Sequence, residues 1–198
     1  MIKEKVKQIY ENLPVSKWGH VKRVLFFATK LSEGLNFGES ETKLVQVSAL
    51  LHDIGYKKQF DIGGEDFHEK YSVEMVDKIL SGEKFREDEI QIIKETISPH
   101  GVFEDCKTKL QRILFDADKL EKTTMGEVIR KSVIMHEKFK MNDEQIFWRL
   151  IEKMNERRFH FKESEKIAKE NKEKIFEAFN HYIRLSKYAD ETEKDLDL

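Results

Sequence analysis

Cysteine is nearly missing from this chain. The single Cys106 excludes an internal disulfide and a Cys-rich zinc site. It fits a reduced, cytoplasmic setting. Proline is scarce as well, with only Pro14 and Pro99, and glycine occurs nine times. These breakers fall between periodic stretches, so helix is the default reading. No run approaches about 20 apolar residues, so a membrane span is not expected. The opening MIKEKVKQIY carries charges without an apolar core and does not read as a secretory signal. An excess of one charge is also lacking. Lys plus Arg number 36 and Asp plus Glu 38, a formal net charge of -2. That balance argues against a polynucleotide footprint, and it leaves room for a local basic pocket that takes a small phosphate compound. No internal repeat, βαβ pattern or Gly-rich phosphate loop is present.

What the chain does have is enough apolar material to fold. Hydrophobic residues make up 39% of its 198 positions and include 14 Phe, too many for a disordered segment. One domain covering 1–198 is expected, with a core at about 17–138 and a helical extension at 139–198. Helical periodicity runs throughout. A first amphipathic stretch covers Ile2 to Leu13. Ser16 is placed to cap a second helix from Lys17 to Ser32, whose Val21, Val24, Leu25, Ala28 and Leu31 recur at three and four. Gly34 is its expected stop. Ser40 starts a third helix that ends at His52-Asp53-Ile54-Gly55. Residues 55–67, with Gly63-Gly64 at the centre, read as a loop. Further helices are expected at His68 to Leu80, Arg86 to Ile97, Thr108 to Leu120, Met125 to Lys138, Asp143 to Arg158 and Glu163 to Tyr188. Pro99 ends the second of these. The acidic final residues, DETEKDLDL, are expected to fray. The last long helix carries a thin stripe of Ile167, Ile175, Phe176, Phe179, Tyr182 and Ile183. That stripe suits packing across the core, or equally a homodimer contact. No strand-period alternation is sustained, so the fold class is all-α.

Against this background the polar residues near helix ends stand out. His52 and Asp53 follow the apolar run Ala49-Leu50-Leu51, which puts an imidazole and a carboxylate at the edge of the core. Such a pair can bind one divalent ion from two sides. A capping Asp beside a buried His is the favoured reading of the dipeptide alone, because short motifs often match by chance. His20 lies on or beside an apolar helix face, where a lone His is usually a satisfied core residue. His68 opens a helix and His100 follows a proline in a turn, both ordinary surface places. Asp116 and Asp118 are set among Leu114, Phe115, Ala117 and Leu120, where an unpaired charge is costly. Each bland reading serves one residue. The ordered set His, His-Asp, His, His, Asp at breaks between helices is harder to dismiss.

That set resembles the HD superfamily of metal-dependent phosphohydrolases. The family's hallmark is a His, an adjacent His-Asp and a distant Asp on a later helix, matched here by His20, His52-Asp53 and Asp118. Asp118 is preferred because Ala117-Asp118-Lys119-Leu120 has the family's form, with Asp116 as the fallback. The resemblance runs from about Lys17 to Ile134 and includes Arg23-Val24, ALLHDIG at Ala49 to Gly55, and DADKLE at Asp116 to Glu121. Met125-Gly126 and the helix after it fit it too, whereas residues 140–198 carry no known motif. His68 and His100 fall where two-metal members place extra ligands, and they resemble small members that cleave dinucleoside polyphosphates or nucleoside triphosphates. The chain departs from several subgroups in having Tyr56, rather than Lys, three residues after Asp53.

The resemblance implies a phosphohydrolase for a nucleotide or another small phosphate ester, working through metal-activated water. The metal ligands would be His20, His52, Asp53 and Asp118. His68 and His100 would hold a second ion, with Asp53 as the bridge, or would touch phosphate instead. One or two divalent ions are expected, from Mn, Fe, Co, Ni, Zn or Mg. Arg23 shares a helix face with His20 and would either fork onto phosphate or pair with a carboxylate. Lys57 would reach a phosphate or remain a solvated loop residue. Glu65, with Asp66, is a candidate general acid or water-orienting group, or a plain surface carboxylate. The competing reading is a metal- and nucleotide-binding sensor without efficient turnover. A nuclease is a weaker third reading, since no basic groove with stacking aromatics is evident.

Overall fold

The computed structural model describes residues 2–12, 18–62 and 68–194. Those residues are all-α, with no strand among them. The helices are α1 (Ile2–Glu11), α2 (Trp18–Gly34), α3 (Glu39–Leu51), α4 (Tyr56–Ile62), α5 (His68–Leu80), α6 (Glu87–Ile97), α7 (Lys109–Glu121), α8 (Met125–Phe139), α9 (Asp143–Asn155) and α10 (Lys162–Lys194). A 3-10 turn at Phe103–Asp105 precedes α7.

The chain divides into two compact units. The first is Met1–Glu121 together with Arg158–Ser164. In it α2 packs between α3 and α7, α3 also meets α6, and α5 lies on α6 and α4. Val21, Val24, Ala28 and Leu31 of α2 meet this core at the three-and-four spacing read from the sequence, and all are buried. Leu44, Val47 and Leu51 of α3 and Ile113, Leu114, Ala117 and Leu120 of α7 are buried as well. The second unit is Lys122–Arg157 with Glu165–Leu198. Its core joins Phe147, Ile151 and Met154 of α9 to Ile175 of α10, with Val128 and Phe179 packed alongside.

Several expectations change. Residues 55–67 are not loop throughout, because Tyr56–Ile62 forms α4. No breaker interrupts those seven residues, and Lys57 pairs with Asp61 one turn on, at 3.2 Å. The Gly63-Gly64 pair lies outside the described residues, as does the expected cap Ser16. α3 begins at Glu39, one residue before Ser40, with Gly38 in the capping position. Glu41 stands in for the missing cap side chain by accepting from the Gly38 N–H at 3.3 Å. α2 does stop at Gly34, but the left-handed residue that turns the chain is Asn36, at φ 55°. α10 continues past Tyr188 to Lys194, so part of the acidic tail is helical. No Gly or Pro occurs between Tyr188 and Lys194 to end it. Of its apolar stripe, Ile175 is buried and Phe179 stacks on Phe147 with ring centres 3.4 Å apart, while Phe176 and Tyr182 are exposed. Ile175 and Phe179 of the stripe thus pack on α9.

Candidate metal centre

The centre is built around the turn that leaves α3. Leu51 is wholly buried, and its anchoring carries His52 and Asp53 to the core's edge. The turn is then tied down by buried groups. His52 Nδ1 donates to the Ala49 carbonyl at 2.8 Å. The Asp53 N–H donates to the Tyr10 hydroxyl at 3.2 Å. Ser72 Oγ donates to the His52 carbonyl at 2.6 Å and accepts the Gly55 N–H at 2.9 Å. A side chain at Gly55 would collide with the His68 carbonyl and the Ser72 nitrogen. Glycine there lets α5 close onto the turn and deliver His68.

Six side chains from α2, the turn, α5, the end of α6 and α7 then converge. Asp53 lies between two groups of histidines. Its Oδ2 is 3.4 Å from Nε2 of both His20 and His52. Its Oδ1 is 3.1 Å from His68 Nε2 and 3.4 Å from His100 Nε2. Asp118 Oδ1 joins the first pair, 3.5 Å from His20 and 4.0 Å from His52. Within each pair the Nε2 atoms are 3.4 Å apart for His20 and His52, and 3.3 Å for His68 and His100. Neighbouring ligands on one ion with bonds of about 2.1 Å stand roughly 3.0–3.4 Å apart. Most of these separations match that spacing.

The imidazoles are also oriented for a cation. A carbonyl only accepts, so Nδ1 carries the proton in His52 and in His100, which donates to the Ile97 carbonyl at 2.7 Å. His20 Nδ1 faces Glu121 Oε2 at 2.7 Å, and His68 Nδ1 faces Glu69 Oε2 at 3.2 Å. Every Nε2 is left to point inward. The chemistry of this donor set, imidazole nitrogens with carboxylate oxygens, fits a divalent ion.

The charges follow from the packing. Burial opposes the His20 imidazolium, but Asp53, Glu121 and Asp118 outweigh it and raise the pKa to about 9. Burial also opposes ionised Asp53, and the surrounding His52, His100 and His20 still hold it well below the usual carboxylate range. Burial keeps His100 below its ordinary value, against the pull of Asp53. Tyr10 is raised by burial and then by the charge of Asp53, so it stays a phenol. A proton on His20 and a metal ion compete for one lone pair.

The other candidates go elsewhere. Asp116 accepts the backbone N–H groups of His160, at 2.9 Å and 3.1 Å, and of Phe161, at 3.1 Å. It fastens residues 158–164 to α7, and Asp118 is the carboxylate that reaches the histidines. Arg23 takes the ion-pair alternative, with Nε and Nη2 donating to Glu121 Oε1 at 3.0 Å and 2.7 Å. Lys57 lies on exposed α4 with Asp61 as its partner. Glu65 lies outside the described residues. Sequence reasoning missed Glu121, Glu69, Tyr10, Ser72 and Lys119, whose Nζ is 3.1 Å from Asp118 Oδ2. For Glu121 a signal existed, since it lies one helical turn beyond Asp118 on the same face.

Comparison with known proteins meets this geometry. The HD domain family profile matches residues 18–123, which hold every residue of the cluster. The chain belongs to the HD-domain family. A crystal structure of a predicted HD superfamily hydrolase from an uncultured Thermotogales bacterium superposes with a TM-score of 0.68 at 17% identity, covering 92% of this chain and 90% of that one. Bacillus subtilis YpgQ, solved in complex with ADP, gives a TM-score of 0.60 at 18% identity over 99% and 93% of the two chains. At such identities these likenesses show a shared HD-type fold. An uncharacterized protein of Clostridium beijerinckii is 34% identical over 93 residues. That match spans 46% of this chain and about half, 54%, of the relative. No described helix is long and apolar enough to cross a membrane.

Proposed function

We propose that this HD-domain protein is a metal-dependent phosphohydrolase acting on a nucleotide or another small phosphate ester or anhydride. The observation that carries the reading is the placement of Asp53, with one carboxylate oxygen toward His20 and His52 and the other toward His68 and His100. His20, His52, Asp53 and Asp118 would hold one divalent ion, and Asp53, His68 and His100 a second. The bound metal would supply polarisation of a phosphoryl oxygen and a more acidic water. The chain's own groups do the rest. Ala49, Ile97 and Glu121 fix the tautomers of His52, His100 and His20, and Glu69 lies beside Nδ1 of the fourth imidazole, His68. Tyr10 and Ser72 hold the His52-Asp53 turn in register. Lys119, paired with Asp118, would offer an incoming phosphate a cation beside the centre. The net charge of -2 gives no track for a polynucleotide. The ADP bound to Bacillus subtilis YpgQ, a structural relative, supports a nucleotide over other phosphate compounds.

The test is phosphate release by the purified chain across nucleoside mono-, di- and triphosphates and simple phosphate monoesters, with metal added and with metal chelated. Turnover of at least one nucleotide, abolished by chelation and restored by a divalent ion, is the expected result. Tight nucleotide binding with no phosphate release from any substrate would replace this reading with the sensor.

A further inference from the structure

The second unit carries aromatic side chains that its own core does not use. On α9, Phe147, Leu150, Ile151 and Met154 turn inward and are buried. Trp148 turns the other way and is 51% exposed. Phe176 of α10 lies against it, with ring centres 6.2 Å apart and planes at 67°, and is 39% exposed. Phe139, at the end of α8, is 68% exposed and lines one hollow together with Trp148. Phe139, Trp148 and Phe176 thus form one apolar strip within a single unit. Contiguous exposed apolar surface of this kind marks an interaction site far more often than scattered exposed residues do.

Charge bounds the strip, and its two ends differ in sign. Lys140, Arg149 and Glu152 line the hollow between Phe139 and Trp148, two cations against one carboxylate. Lys172, Glu173 and Glu177 line the groove beside Phe176, one cation against two carboxylates. Arg149 meets Glu152 at 2.5 Å, but both are exposed, and such a pair is too weak to withdraw Arg149 from another partner. Over the whole strip the signs balance, which offers no attraction to an anionic lipid surface or a polynucleotide. The balance is polarised, however. A two-fold axis through the Trp148–Phe176 contact lays the positive end of one copy on the negative end of another, twice over.

The area sets the strength. With about 150–250 Å² for a fully exposed aromatic side chain, the three exposures amount to roughly 250–400 Å² of apolar surface. Interfaces are a little over half apolar, so this supports about 450–700 Å² per copy. That is the lower edge of what specific interfaces bury, and it suits a reversible dimer.

We propose that the Phe139–Trp148–Phe176 strip docks a second copy of this chain, in a weak two-fold dimer where Lys140 and Arg149 of each copy face Glu173 and Glu177 of the other. The strip belongs to the second unit and every residue of the metal cluster to the first, so the dimer stands or falls independently of the metal reading.

The experiment is sedimentation of the full chain over a concentration series. An interface of this size predicts a Kd of about 1–100 μM, seen as a rise in mass from one chain to two. Trp148→Glu should weaken the dimer by about 10-fold or more. Arg149→Glu should weaken it to a similar degree, as should Glu173→Arg combined with Glu177→Arg, because each places like charges opposite one another. An equimolar mixture of those two charge variants should recover the wild-type mass, since opposite signs then meet in both contacts. Misfolding cannot produce that recovery, so the mixture decides even where Trp148→Glu disturbs the fold, which circular dichroism monitors. A chain that is monomeric throughout, a dimer that Trp148→Glu leaves intact, or charge variants that do not recover on mixing would overturn the dimer. A monomer that instead cosediments with phosphatidylserine-containing vesicles would overturn it in favour of a lipid surface.

Discussion

A side chain at Gly55 would meet backbone on the opposite side, the His68 carbonyl and the Ser72 nitrogen, and backbone cannot swing aside as a flexible side chain can. Gly55→Ala should therefore push α5 off the turn and cost about 3 kcal/mol or more, read as a lower denaturant midpoint. Ser72 is a gentler probe of the same junction. Ser72→Ala would leave the His52 carbonyl and the Gly55 N–H without their shared partner. The expected loss is about 1–3 kcal/mol in chemical denaturation. Residue type and order made His20, His52, Asp53, His68, His100 and Asp118 readable as a set, because metal chemistry admits few side chains. Glu121 was not readable by residue type, being one carboxylate among 38 acidic residues with its partner His20 101 residues away; its one signal was its place a helical turn beyond Asp118. Between Asp116 and Asp118 the local form Ala117-Asp118-Lys119-Leu120 favours Asp118, and it is Asp118 that faces His20 and His52. Only the return of residues 158–164 to α7 shows that Asp116 has backbone N–H groups to accept.

At the level of elements, periodicity located the long helices because one buried stripe repeats along each. His68–Leu80 is a case where start and end both agree with the sequence reading. Short α4 escaped because seven residues span too few turns to display a stripe. Its order comes from pairs such as Lys58 with Glu74, which join it to α5. The far end of α10 escaped because charge was read as fraying, although no helix-breaking Gly or Pro lies between Tyr188 and Lys194. α10 supplies its own test. Ile175 is buried against Phe147, Ile151 and Met154. Ile175→Ala should cost about 2–5 kcal/mol of stability, by denaturant titration. Its metal content should match the wild type, since every residue of the cluster lies in the first unit.

For the whole molecule, a metal bound at the proposed centre would be linked to folding. The cluster gathers groups from α2, the turn after α3, α5, the end of α6 and α7, and an unfolded chain has no such site. Metal at a hundred-fold excess over its Kd should add about 2.7 kcal/mol. For a chain of this length that corresponds to roughly 5–10 °C in thermal midpoint. Scanning calorimetry with and without chelator checks this, and an unchanged midpoint would show that metal and fold are uncoupled. The central claim is narrower still: Asp53 and His52 hold metal together with His20 and Asp118. Elemental analysis of the purified wild type, His52→Ala and Asp53→Ala, each shown to be folded, tests it most directly. The account predicts bound divalent metal in the wild type and its loss in both variants. Equal metal in all three would contradict it.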